Sequence, residues 1–332
     1  MDEINNRRVA TQSRTTQLRD LLGNAAQSLE NRACVYATGS FGRLEAREDS
    51  DLDLFIVGKT DTESKASPKG SQLSHLDEIC LKADLIRATK QLGIKEFDGD
   101  GKYLQHYSVA EFTSTLGKPE DDANNTLTGR LLLCLESKPL LGEDVYKSVI
   151  KEVIDAYWRD YDDHKSEFLP AYLTNDILRL WRTFCVNYEA RTERRPDPKK
   201  IKGKIKNYKL KHSRMLTCYS SLLYLLTIYK RHKTVTPDDA FNMTQLTPID
   251  RVSWLLDQSE ASAAHKDATS LLQQYDKFLK LTSIGETALE GVFSDTDKSK
   301  TYMEESRKFG DDMYATLSKI DESSRYYRII VV

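Results

Sequence analysis

Apolar residues recur every three to four positions at Leu18, Leu21, Leu22, Ala25 and Leu29, which predicts an amphipathic helix over residues 12–31. The period then shortens. CVYATGS (34–40) and DLDLFIVG (51–58) are short β-type runs, and Gly39, Ser40 and Gly42 mark a tight turn after the first of them. TDTESKASPKGSQ (60–72) is a loop by composition. A helical period returns over 73–92 through Leu76, Ile79, Cys80, Ala83 and Ile86. A short strand is expected at Ile94–Phe97, followed by the turn DGDG and a further β-like run, KYLQHYSV. Helix, strand, turn, strand, loop, helix and strand in this order predict an α+β layer around a small mixed sheet.

From about residue 123 the pattern becomes wholly helical. TLTGRLLLCLES, GEDVYKSVIKEVIDAYWRDY, LTNDILRLWRTFCVNYE and SRMLTCYSSLLYLLTIYKR are helical runs, and Pro170, Pro196, Pro198, Pro237 and Pro248 fall between them or at their edges. The aromatic-rich SSLLYLLTIY reads as a buried helix. The expected organisation is a core over 1–125 and a helical domain with a C-terminal tail over 126–332.

Composition narrows the function classes. With 39% apolar and 30% charged residues the chain can build a core. Its 49 basic and 51 acidic side chains nearly cancel, so any nucleic-acid affinity has to come from a local patch. No run approaches the roughly 18 to 20 apolar residues of a membrane span, and MDEINNRRVATQSRTTQ lacks the apolar centre of a signal peptide. Cys34, Cys80, Cys134, Cys185 and Cys218 are odd in number and show no C-x-x-C spacing. A zinc site or disulfide framework is therefore not expected, and a reducing cytoplasm is.

The stretch GSFGRLEAREDSDLDLFIV concentrates the candidate chemistry. Asp51 and Asp53 stand two apart on an expected strand, so both side chains point to one face. Two carboxylates so placed repel each other unless a cation lies between them, and a hard divalent ion such as Mg²⁺ takes such oxygens together with substrate phosphates. The Gly39-Ser40 turn can bring backbone N–H groups and a hydroxyl near a polyphosphate. Arg43 either contacts phosphate or pairs with Glu45.

Gly39, Ser40, Gly42, Arg43, Glu45, Ser50, Asp51 and Asp53 together form G-S-x-G-R-x-E followed by S-D-x-D-L. This resembles the signature of the DNA polymerase β-type nucleotidyltransferase superfamily, in the form found in its bacterial protein-modifying and antiphage-defence branches. The resemblance implies a polymerase β-like catalytic core and a two-metal mechanism with Mg²⁺ or Mn²⁺ held between the carboxylates and nucleotide phosphates. It also implies a third carboxylate on a later strand. Asp98 is the first candidate, with Asp100 and Glu96 behind it, although all three equally suit an acidic turn.

Between 191 and 214 lie Arg191, Arg194, Arg195, Lys199, Lys200, Lys202, Lys204, Lys206, Lys209, Lys211 and Arg214, opposed by Glu193 and Asp197 alone. Such a run is either a solvated face or a site for triphosphate or a nucleic-acid strand, with Tyr208 as a stacking surface. NDILRLWRT with KNYKLKHSR is similar to the helical partner domain of bacterial nucleotidyltransferases, which implies phosphate contacts for Lys209, Lys211 and Arg214. Asp176, Arg179 and Arg182 read as an ion-pair network. The histidines lack ligand spacing. The ending DESSRYYRIIVV reads either as an edge strand with packed tyrosines or as a tail whose Tyr326 or Tyr327 hydroxyl accepts the nucleotide.

By its size, layout and tyrosine tail the chain resembles the Hailong-type defence enzymes, which implies short deoxyadenylate strands primed on protein and read by a membrane effector protein. The expected function is thus template-independent nucleotidyl transfer from an NTP or dNTP, with a single-stranded oligonucleotide as one product. Alternatives are a protein- or tRNA-modifying toxin and a catalytically inactive nucleotide-sensing module.

Overall fold

The computed structural model describes residues 1–61, 70–97, 104–192 and 197–332, and of 191, 192 and 197–199 the backbone alone. The described chain forms two compact units, 5–159 and 160–332 joined by 1–4. The division falls later than residue 125 because the segment after it still builds the sheet of the first unit.

That sheet has four strands: β1 (Ala33–Thr38), β2 (Asp53–Gly58), β3 (His106–Ser108) and β4 (Lys138–Leu141), in the order β3-β2-β1-β4. β1 pairs antiparallel with β2 and with β4, while β2 and β3 run parallel, so the sheet is mixed as the pattern predicts. β1 is buried along its whole length, as a central strand covered on both faces should be. Leu18, Leu22, Ala25 and Leu29 cover one side together with Leu81, Leu85 and Ala88. Val145, Val149, Ile150 and Val153 of the helix Glu143–Tyr157 are buried as well.

Three details differ from expectation. The first helix begins earlier, at Asp2, and ends at Leu21; a second, Gly23–Leu29, follows it. In the helix His75–Gln91 the predicted stripe faces outward, with Leu76 74%, Ile79 51% and Ile86 39% exposed. A second stripe, Leu81, Leu85 and Ala88, faces the core instead, and Glu78 joins it through polar partners described below. No strand forms at Ile94–Phe97. Ile94 is buried in the core without regular structure around it, and the strand beside β2 comes later, inside KYLQHYSV.

Among the described residues of the unit 160–332 every regular element is a helix. The helix Met215–His232 is buried on nearly every side, as SSLLYLLTIY implied. Tyr208 is 1% exposed and packs against Phe278, Phe293 and Tyr302, which corrects its reading as a stacking surface. His212 lies flat on Phe278, and burial lowers its pKa to about 4, so it is a neutral core residue at pH 7. The C-terminal segment is a helix, Arg325–Val331, where an edge strand was one expectation. Ser324 caps it by accepting from Tyr327 N–H, and Tyr326 and Ile330, one turn apart, are both buried. Among the described residues no helix is long and apolar enough to cross a membrane.

Candidate active site

Thr38, the last residue of β1, pairs with Asp53, the first of β2. The chain must therefore leave β1 beside Asp53, and it does so through a single helical turn, Gly39–Gly42. Gly39 has φ +63°, and a Cβ built on it would stand 2.7 Å from Asp53 Oδ2. Only glycine meets both conditions. The turn and the carboxylate are thus in contact distance of each other. Asp51 lies two residues before the strand proper. Burial still alternates across the segment, with Asp51 and Asp53 exposed and Leu52 and Leu54 buried, so the two carboxylates share the solvent-facing side. The half-buried Ser40 and this pair lie at one end of the sheet.

Arg43 is buried and takes the pairing that the sequence left open. Its Nε donates to Glu45 Oε2 at 2.9 Å, and its Nη1 donates to Glu136 Oε2 at 2.7 Å. Glu136, from the end of the helix Thr126–Glu136, also accepts from Gly39 N–H with Oε1 at 3.2 Å. Glu45 N–H donates to Ser40 O at 2.7 Å, closing the turn on itself. Arg43 thus links Glu45, beside the turn, to Glu136. Ser50, also part of the motif, accepts from Arg47 N–H and shapes the approach to Asp51.

A second polar chain fixes the other side of β2. His106 of β3 is 3% exposed, with Nδ1 3.0 Å from Glu78 Oε2 and Nε2 2.9 Å from Ser71 Oγ. Burial raises the Glu78 pKa, but hydrogen bonds from Lys82 and His106 outweigh it and bring the carboxyl down to about 2. A side chain at Gly58 would overlap Ser71 Oγ, so the strand passes close beneath this chain. Ser71 is 2% exposed, and this serine–histidine–glutamate row links β3 to the helix His75–Gln91 and to the segment before it.

Asp98 and Asp100 lie outside the described residues. Glu96 is exposed in an irregular segment, 3.5 Å from Lys90 Nζ. The first described residues approaching β3 are Leu104 and Gln105, and Gln105 Oε1 accepts from Tyr107 Oη at 2.7 Å. Among the described residues no group of three or more His, Cys, Asp or Glu side chains converges on one point.

The other expected residues belong to the unit 160–332. Lys209 ends the helix Asp197–Lys209, and Lys211 and Arg214 lie in a π-helical turn, Leu210–Arg214, where such turns often mark functional positions. Arg214 stacks over Phe184 at 5.1 Å, and Lys209 is exposed. Asp176 and Arg179 stand 3.7 Å apart, so two members of the expected ion-pair network do meet. Arg191, Arg194, Arg195 and Lys199 fall outside the described side chains. Tyr326 is fully buried, its hydroxyl 2.8 Å from Thr174 Oγ1, and burial raises its pKa well above the usual phenol value. Tyr327 Oη is 2.7 Å from Ser318 Oγ, and burial raises its pKa too.

A tail tyrosine that accepted nucleotide would have to leave this packing. The expected result is an intact mass equal to the bare chain after incubation with each nucleoside triphosphate and Mg²⁺. A gain of one nucleotide that Tyr327→Phe or Tyr326→Phe abolishes would restore the tail-primed reading.

Sequence reasoning missed Glu136 and the His106–Glu78 pair. Glu136 is one acidic side chain at the end of an apolar run, LLLCLE, and that mismatch was the available signal; His106 in HYSV and Glu78 in HLDEI stand among other polar residues and gave none.

Comparison with known proteins adds one finding. Residues 20–103 match the family model of the nucleotidyltransferase domain, about a quarter of the chain. Comparisons with curated proteins and with solved structures give no match.

Proposed function

We propose that the chain is a metal-dependent nucleotidyltransferase that acts without a template on a nucleoside triphosphate. The observation that carries this reading is that the nucleotidyltransferase-domain match spans 20–103, the segment holding both the exposed Asp51–Asp53 pair and the Gly39-Ser40 turn packed against it. The donor set suits the implied metal: two exposed carboxylates on one face are hard oxygen ligands, and no soft or imidazole ligand accompanies them in the motif. Asp51 and Asp53 would hold Mg²⁺ or Mn²⁺, which when bound neutralises phosphate charge and favours ionisation of an attacking hydroxyl.

The protein's own residues supply position. Gly39 lets the backbone run against Asp53, and Ser40 offers a hydroxyl at the same end of the sheet, within reach of a phosphate oxygen. The acceptor is a diffusible nucleotide, a growing oligonucleotide or another protein, since both tail tyrosines are engaged in packing. Phosphate binding by Lys209, Lys211 and Arg214 is a separate proposal, supported by their charge, and salt should weaken it.

The direct test is incubation with each labelled NTP and dNTP plus Mg²⁺ or Mn²⁺, separating protein-bound from free product. Absence of product from every nucleotide would sink the reading. With the preferred nucleotide, Ser40→Ala is expected to raise KM about tenfold, the loss of about one charge-assisted hydrogen bond, with a smaller change in kcat. An unchanged KM would remove Ser40 from the phosphate site.

A further inference from the structure

Glu136 is an expensive residue where it stands. Its side chain is wholly buried, and it ends a helix, where the macrodipole is negative and disfavours a carboxylate. Nine of the ten preceding residues of that helix are buried too, so an apolar side chain would satisfy packing. What the carboxylate adds is two acceptors aimed at one short turn. Oε1 takes Gly39 N–H, and Oε2 takes the Arg43 guanidinium, whose Nε in turn holds Glu45. Glu45 N–H closes on Ser40 O. The residues on either side of Ser40 are therefore tied, directly or through Arg43, to Glu136. The backbone takes part as well: Gly42 packs so closely on the Glu136 carbonyl that a Cβ has no room.

We infer that Glu136 is a positioning residue for nucleotide transfer, an inference that rests on the proposed function: it touches no substrate but sets the Gly39-Ser40 turn against Asp53. A carboxylate is required because it accepts at both ends. A glutamine accepts at one end only and presents an NH₂ at the other, so it must face a donor, either Gly39 N–H or Arg43. Glu136→Gln thus breaks one of the two ties while preserving size and leaving the side chains of Asp51, Asp53 and Ser40 unaltered.

Two readouts test this. The first is amide hydrogen exchange of the full chain without nucleotide. Glu136→Gln is expected to speed exchange over residues 39–45 about tenfold or more, with β1 and β2 unchanged. The second is steady-state transfer with the preferred nucleotide. The expected loss in kcat/KM is about 10- to 100-fold, the size that misplacement of about an ångström brings, and it includes a rise in KM. Ser40→Ala should then add little in the Glu136→Gln background, because the turn no longer presents Ser40.

Arg43→Lys is the companion variant should Glu136→Gln fail to fold, since one ammonium lacks the rigid fork that holds Glu45 with Nε and Glu136 with Nη1. It should reproduce the local loss of protection. Unchanged exchange over 39–45, or a uniform rise across the whole unit with full additivity at Ser40, would overturn the inference and leave Glu136 a core residue. Product formation by the unmodified chain is scored separately. Its absence would remove the proposed function, while the exchange result would still decide whether Glu136 holds the turn.

Discussion

Replacing Asp51 and Asp53 together by alanine should abolish nucleotidyl transfer, a loss of at least about 10³-fold, or about 4 kcal/mol of transition-state stabilisation. Both carboxylates are exposed at one end of the sheet, and Asp53 Oδ2 stands where a Gly39 side chain would be. The fold should not suffer. Leu52 and Leu54, which anchor the segment in the core, are untouched, and removing two exposed like charges changes stability by about 0.5 kcal/mol or less. Thermal unfolding of the double variant should therefore overlay that of the parent. The two measurements belong together, because a loss of activity with an unchanged melting curve assigns the effect to the site. Turnover retained in the double variant would rule out metal held by this pair.

The sequence made this pair visible because its signals were local. Alternating burial puts Asp51 and Asp53 on one face, and two glycines with a serine announce a turn, all within twenty residues. Motif spacing carried the chemistry further than any single residue could. The helical character of the second unit was equally plain, since its apolar runs repeat at the helical period and prolines stand between them.

What escaped were choices that depend on partners distant in sequence. The helix His75–Gln91 has two apolar stripes, and periodicity alone gives no reason to bury Leu81 and Leu85 before Leu76 and Ile79. In the folded chain the buried side also carries Glu78, whose carboxylate reaches His106, 28 positions away, a contact that periodicity does not reveal. IIVV has strong strand propensity, yet all but its last residue docks as a helix, since Tyr326 and Ile330 fill the core one turn apart and the Tyr326 hydroxyl pairs with Thr174 Oγ1. For Arg43 the sequence offered phosphate or Glu45, and the structure shows the pairing with Glu45. Its second carboxylate, Glu136, stands 93 positions later, beyond what local spacing shows.

The same distant contact makes Gly42 the most demanding position in the turn. Gly42→Ala should destabilise the unit 5–159 by about 3 kcal/mol, the upper end of the usual overpacking range, and remove transfer activity. Its φ is not in the left-handed region, so the requirement is space alone. The added methyl would overlap the carbonyl oxygen of Glu136 and stand 2.8 Å from that of Ala37. Both are backbone atoms, one at the end of a helix and one in the central strand, and neither can rotate aside as a side chain would. Relief has to come from moving the helix end, which carries the Glu136 carboxylate away from Gly39 and Arg43. Gly23→Ala is the matched control in the same unit. No atom lies within 4 Å of its added methyl, and alanine at a helix start should leave stability unchanged or slightly raised. Denaturant melts of the two variants should separate clearly. Equal midpoints would mean that the Gly42–Glu136 approach is looser than drawn, and the turn would then not be held from that side.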